Sequence, residues 1–228
     1  MTLFHDRRDA GDALAERLEH YRGGNALVLG LPRGGVVVAA QVARRLDAEL
    51  DVVVARKLGA PFSRELAIGA VTANGGRFLN EDVLAAFHIP EAYIEAVTAR
   101  QRAEARRREA DLRGQRAAPS IAGRVVILVD DGLATGATMR AAVRSVRQHR
   151  PRRLVVAVPV GAPESCAVLR DEVDEVVCLY EPADFGAVGR FYGDFSQTDD
   201  EEVRTLLAEA ERGAGGAASA LASRASHP

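Results

Sequence analysis

Val125-Val126-Ile127-Leu128-Val129-Asp130-Asp131-Gly132-Leu133-Ala134-Thr135-Gly136-Ala137-Thr138 is the stretch that sets the fold. Its first five residues are apolar and mostly β-branched, the pattern of a central parallel strand buried on both faces. Two adjacent carboxylates stand at the C-terminal end of that strand. A short run of small and hydroxyl residues then opens a helix expected over Met139 to Gln148. In open α/β sheets such strand ends are where ligands bind, in the crevice at a topological switch point. The bare N–H groups of a helix N-terminus suit a phosphate, glycines allow the main chain to approach it, and a tight turn can gather its amides into an anion-binding concavity.

Asp130 and Asp131 would repel a triphosphate unless a cation or sugar hydroxyls lay between, whereas carboxylates accept strong, charge-assisted bonds from hydroxyls. The stretch therefore asks for a phosphate beside a vicinal diol, as in a ribose 5-phosphate. There is no Lys after Gly136, as a Walker loop requires, and no G-x-G-x-x-G follows an expected strand.

Four apolar residues, two acids and the Thr-Gly-Ala-Thr ending closely resemble the phosphoribosyl pyrophosphate (PRPP) signature of the type I phosphoribosyltransferases. The resemblance implies an α/β fold of that type, Rossmann-like: a mainly parallel sheet flanked by helices, with a small hood and a flexible loop. It implies that Asp130 and Asp131 hold the ribose 2′- and 3′-hydroxyls. By the same implication, Gly132 and the segment Ala134, Thr135, Gly136, Ala137 and Thr138 hold the 5′-phosphate. An ordinary strand-to-helix turn with solvated acids is the bland alternative.

Upstream, Ala26 to Leu31 reads as a buried strand, followed by Pro32-Arg33-Gly34-Gly35 and an apolar helix from Val36 to Leu46. This repeats the strand, glycine-rich turn and helix of the central stretch, and the guanidinium of Arg33 suits phosphate oxygens. The corresponding loop of the family binds the pyrophosphate of PRPP and often holds a strained or cis peptide; Arg33, Gly34 and Gly35 resemble it. Asp51 to Ala55 reads as a further strand ending in Arg56-Lys57, two cations expected on the same sheet edge. With Arg33 they would stabilise the charge on departing pyrophosphate, so Arg33, Lys57, Asp130 and Asp131 are the expected catalytic set. Lys57 is the only lysine of the chain. Gly59 to Glu65 reads as a flexible loop, and Leu66 to Thr72 with Arg77 to Leu79 as a hairpin.

Helices are expected from Asp6 or Asp9 to Tyr21, from Glu81 to Phe87, and from Pro90 to about Gly114. The last is Arg-rich, but interleaved acids and few aromatics make it a solvated face, or one packed on a second subunit; a homo-oligomer is expected. Arg153 to Val158, Pro163 to Glu172 and Glu175 to Tyr180 continue the alternation of strand and helix, which predicts right-handed crossovers. Glu181 to Asp199 then breaks the rhythm and concentrates Phe185, Phe191, Tyr192 and Phe195. This suits stacking on a planar ring, or an ordinary mini-core. The segment resembles the base-binding hood of the hypoxanthine-guanine enzymes, which implies base contacts from Phe185, Val188, Tyr192 and Asp194. Ala134, however, stands where those enzymes carry an acid, and Val158-Pro159-Val160-Gly161 offers no lysine, so the acceptor base stays open.

One domain over residues 1–212 is expected, with a hood over 181–199, an inserted helical segment over 81–115 and a last helix from Asp199 to about Arg212. The Gly/Ala/Ser-rich stretch 213–228 is expected to be disordered. A hydrophobic content of 47%, charged content of 27% and net charge of −2 are ordinary for a globular protein and give no electrostatic reason to expect nucleic acid. No apolar run approaches membrane-spanning length and the first dozen residues are too polar for a signal peptide, so a cytoplasmic protein is expected. Cys166 and Cys178 lack metal-site spacing and read as reduced, buried and inert. The implied activity is transfer from PRPP to a small nitrogenous base with Mg²⁺, of the nucleotide-salvage type; no protein ligand to the metal is assigned. Rival readings are a regulatory module that binds PRPP or a nucleotide without turnover, and a hydrolase of a phosphorylated ribose compound.

Overall fold

The computed structural model describes residues 2–224, with side chains through 212. Five parallel strands form the main sheet: β1 (Ala26–Gly30), β2 (Glu49–Val52), β6 (Val125–Val129), β7 (Arg153–Val160) and β8 (Glu175–Tyr180). Their order across the sheet is β2-β1-β6-β7-β8, so the winding direction reverses between β1 and β6. That reversal is a topological switch point. The register pairs Gly30 with Val129, which brings the loops after β1 and β6 out side by side.

Why β6 needs apolar residues at every position is visible in its surroundings. Val125, Ile127 and Val129 face a layer made by α1 (Arg7–Arg17), α2 (Gly34–Leu46) and α7 (Asp200–Arg224), with Leu14, Val38, Val42 and Leu207 buried against them. Val126 and Leu128 face the opposite layer of α5 (Ala137–Gln148) and α6 (Pro163–Glu172), against Met139, Val143 and Leu169. A strand sandwiched in this way has no polar face. Asp6 caps α1 by accepting from the N–H groups of Arg8 and Asp9, an N-cap worth about 1 kcal/mol.

A second, antiparallel sheet of β3 (Ala55–Gly59), β4 (Ala67–Thr72) and β5 (Arg77–Leu79) lies across α5. Ala70 and Phe78 meet Ala137 and Ala141 there. Its other side packs on α3 (Glu81–Ala86) and α4 (Glu91–Arg113) through Leu58, Ile68, Val71, Ile94 and Val97. Gly76 makes the close approach possible, because a Cβ there would stand 2.4 Å from the Ala141 carbonyl oxygen.

Two expectations are corrected. The strand expected over Asp51–Ala55 ends at Val52, where the N–H of Val53 still bonds the Gly30 carbonyl at 3.1 Å but that of Val54 turns to Glu109. Arg56 and Lys57 are therefore not in a turn but within β3, paired to Val71 and Ala70. The last helix does not stop at Gly213: α7 runs as Asp200–Arg224, in keeping with the high helix propensity of its many alanines. The expected disorder beyond Arg224 lies outside the described residues.

The Arg-rich helix α4 is tied largely to its own chain. Arg113 makes paired bonds to Asp51, at 3.0 and 2.8 Å, and reaches Glu109 at 3.0 Å. Arg106 donates to the Ala73 carbonyl and Arg108 to Asp200. No helix among the described residues is long and apolar enough to cross a membrane.

Candidate active site

Asp130 and Asp131 end β6 at the switch point, both partly exposed. The loop after β1 lies directly on them. A Cβ on Gly34 would stand 2.0 Å from Asp131 Oδ2, and one on Gly35 would stand 2.7 Å from Asp130 Oδ1. Any side chain at either position collides with the carboxylates, so the glycines fix how closely the two loops approach. The Pro32–Arg33 peptide in this loop is cis.

Beyond the acids, Gly136 takes a left-handed conformation (φ 72°) and starts α5, and no side chain caps the helix. The first-turn N–H groups of Ala137 and Thr138 lack intrahelical acceptors, as at any helix start, and suit an anion. Ala134 and Thr135 are exposed, and the Ala134 carbonyl is held by the hydroxyl of Ser165. Leu133 bridges to Gly161 of the β7 end, which anchors the loop from below.

The two carboxylates perturb each other. Burial, and then the charge of Asp131, push Asp130 well above the ordinary carboxylate range. Burial also raises Asp131, opposed by Arg7. Arg7 Nε donates to Asp131 Oδ2 at 2.7 Å, and its other end donates to the Ser196 carbonyl at 2.8 Å. The guanidinium carbon of Arg7 lies 3.9 Å from the centroid of the Phe195 ring, a cation–π contact. Sequence reasoning missed Arg7. The only local signal is the Asp6 cap, which puts Arg7 at the start of α1; the pairing with a residue 124 positions away has no sequence mark.

The other expected site residues divide into two groups. Arg56 and Lys57 line a cavity of about 890 Å³ together with Arg64, Arg100 and Thr138, and no acid lines it. They thus share a basic cavity with Thr138, in the first turn of α5. Arg33 instead turns to Asp200, at 3.9 Å, at the start of α7.

In the hood, Phe185, Phe191 and Tyr192 are buried with Phe4 and Val160 in a mini-core. Of the two readings of these aromatics, Phe185 and Tyr192 follow the mini-core and not the stacking surface: they are buried, because residues 3–5 bond to the hood and bring Phe4 beneath it. Leu3 and Phe4 donate to the Phe191 carbonyl, and Gly193 and Asp194 donate to the carbonyls of Phe4 and His5. Tyr192 instead uses its hydroxyl, which donates to the Asp131 carbonyl at 2.6 Å. Phe195 is the hood aromatic that keeps substantial exposure, at 38%. Val188 presses on Gly132, where a Cβ would stand 2.5 Å from it. Asp194 accepts from the Ser196 N–H at 2.8 Å, and the Ser196 side chain, with that N–H second, holds its carboxyl below the usual range. Phe185→Ala is expected to cost about 3 kcal/mol of stability, the low end for a buried aromatic. A thermal or denaturant midpoint unchanged by the substitution would sink the mini-core assignment.

These loops define an α/β protein whose sheet reverses at an acid pair and a bare helix start, an arrangement suited to a phosphorylated sugar. The family described as "Phosphoribosyl transferase domain" matches residues 5–194, and the chain belongs to that family. A protein of Mycobacterium tuberculosis, provisionally named a phosphoribosyl transferase, is 48% identical over 212 residues, which cover 93% of this chain and 48% of that protein. The chain thus spans about half the length of the curated relative it matches. The crystal structure of TT1426 from Thermus thermophilus is similar at 49% identity with a TM-score of 0.78, covering 91% of this chain and 99% of that one. A shorter stretch of 58 residues is 31% identical to a uracil phosphoribosyltransferase of Aquifex aeolicus, covering 25% of this chain and 28% of that one.

Proposed function

We propose that this chain moves ribose 5-phosphate from PRPP to a small nitrogenous base and releases pyrophosphate, a reaction of the nucleotide-salvage type. The observation that carries this reading is the acid pair at the switch point with glycines pressed against it and an uncapped helix start beyond. In this reading Asp130 and Asp131 accept from the two ribose hydroxyls, and the amides from Ala134 to Thr138 receive the 5′-phosphate. Gly34 and Gly35 let their loop lie against the acids, so that pyrophosphate held on it stays next to the ribose, and Arg56 and Lys57 lie on the side where charge leaves.

The donor chemistry fits a magnesium ion carried mainly by substrate oxygens. Burial raises both acids, which a positive charge beside them would relieve, and two carboxylates of which one already holds Arg7 offer too few oxygens for a protein-only metal cage. When bound, magnesium supplies charge neutralisation to the pyrophosphate. The bond from ribose C1 to the pyrophosphate oxygen breaks and a bond from C1 to the base nitrogen forms; the base's proton goes to solvent or to the leaving group. Positive charge at C1 in the transition state is stabilised by the nearby carboxylates. Phe195 and Val188 are the hood residues best suited to a planar acceptor, since Phe185 and Tyr192 are enclosed.

The test is a PRPP-consumption screen across purines, pyrimidines and small heterocycles, with products identified by mass. Nucleotide and pyrophosphate formed together support the proposal. Ribose 5-phosphate and pyrophosphate formed without any base point to the hydrolase, and tight PRPP binding without turnover to the regulatory module. Lys57→Ala is expected to lower kcat by about 10²-fold, the size of one electrostatic contact to a leaving group. An unchanged kcat would remove Lys57 from the reaction.

A further inference from the structure

Two sulfurs and a carboxylate meet where α6 faces the end of β8, and neither the phosphate loop nor the hood uses them. Cys166 is buried in α6, Cys178 is half-buried in β8, and Glu181 follows β8 directly. One ligand atom from each lies within 4.8 Å of the others. Their sequence spacing hides this, because a helix and the strand after it bring the residues together only once folded.

Gly161 is what makes room. A Cβ there would stand 2.5 Å from Cys166 Sγ and 3.2 Å from Cys178 Sγ, so the small residue lets both sulfurs close over the β7 end. Cys178 Sγ also lies 3.2 Å from the Tyr180 carbonyl, and Glu181 is held in place by Arg170. Tetrahedral zinc takes sulfur at about 2.3 Å and carboxylate oxygen at about 2.0–2.2 Å, which puts its ligands about 3.5–3.8 Å apart. From separations within 4.8 Å, the cluster needs to contract by about 1.3 Å at most to reach that spacing.

We infer that Cys166, Cys178 and Glu181 form a binding site for a borderline-soft divalent cation of the zinc class. Two thiolates and a carboxylate supply the charge and softness such an ion selects. Cys178 and Glu181 are only partly buried, so the fourth position is open to water. The thiol protons are released to solvent as the metal binds. A bound ion would pin α6 to β8 directly beneath the phosphate loop, because Gly161 bridges Leu133 and Ser165 of α6 holds the Ala134 carbonyl. The inference stands apart from the transferase reading and its test does not involve PRPP.

The experiment uses the full chain, reduced and stripped of metal. Zn²⁺ is titrated in competition with a chromophoric chelator, and Co²⁺ is added separately to read thiolate ligation by its charge-transfer absorption. One ion per chain, the cobalt–thiolate band and a raised thermal midpoint are expected. Cys178→Ser should abolish the band and weaken zinc by well over tenfold, and Glu181→Gln should weaken it about tenfold. Absence of zinc binding, or binding undiminished in Cys178→Ser, overturns the assignment. So does a thiol count showing that the two cysteines resist reduction as a disulfide. If Cys166→Ala fails to fold, the other two variants still decide the matter, with circular dichroism confirming that each is folded.

Discussion

Asp130→Asn is expected to make the ligand-free protein more stable while it cripples PRPP binding. Burial and the neighbouring charge of Asp131 raise the Asp130 pKa in the folded state. A raised carboxylate pKa means the folded state holds its proton more tightly than the unfolded state does. Stability from this group therefore falls as pH rises from the unfolded value through the folded one, and the cost is complete above the folded pKa. Asparagine carries no charge and escapes that cost, and its side-chain oxygen can still accept from the Asp131 N–H, now at 2.9 Å. A gain of about 1 kcal/mol, or about 2–4 °C in Tm, is the usual size for relieving a functional site. The gain should be largest at neutral and alkaline pH and vanish in acid. Each lost charge-assisted bond to a ribose hydroxyl is worth about 1.5–3 kcal/mol, so Asp130→Asn with Asp131→Asn should weaken PRPP on the order of a hundred- to ten-thousand-fold. Melting curves across pH with parallel calorimetry check both halves. Undiminished PRPP affinity would reject the ribose assignment, and a lowered Tm would reject the electrostatic one.

Gly34→Ala is expected to cost activity by at least about a hundredfold, the effect of displacing a reacting group by about 1 Å. The added methyl would stand 2.0 Å from Asp131 Oδ2 and 2.5 Å from Arg7 Nε, so the ion pair must open or the loop must lift. Overpacking of this kind costs about 1–3 kcal/mol in stability. Arg7 is anchored on its far side by Ser196 and Phe195, which leaves the loop the easier part to move. The measurement is kcat/KM for PRPP beside a thermal melt. Near-normal kcat/KM would show that the approach of the two loops does not matter to the chemistry.

The parallel sheet was legible because burial on both faces leaves β6 and β1 no polar positions and β7 none after its first residue, Arg153, and such runs are hard to mistake. The acid pair was legible for the opposite reason, being polar where the strand ends. The small antiparallel sheet was only half visible. Its hairpin has a turn signal in Asn74-Gly75-Gly76, but β3 puts Arg56 on the face toward α4, where it donates to Gln101, and the exposed Lys57 on the opposite face, and it follows the end of β2 after only Val53 and Val54. Local sequence joins the two strands, and long-range partners separate them: β1 for β2, β4 for β3, and Glu109 for the Val54 N–H between. The hood aromatics read equally as a stacking surface or a mini-core, and local sequence does not decide, because Phe4, which covers them, comes from the other end of the chain. Arg7 was invisible for the same reason.

The meeting of residues 3–7 with residues 191–196 also sets an order of assembly. Arg7 reaches the Ser196 carbonyl across 189 positions of chain, a closure that comes late because so much entropy must be lost before it is rewarded. On the ribosome, a nascent chain would finish β6 and expose its twin negative charges well before the hood emerged to steady their counter-ion.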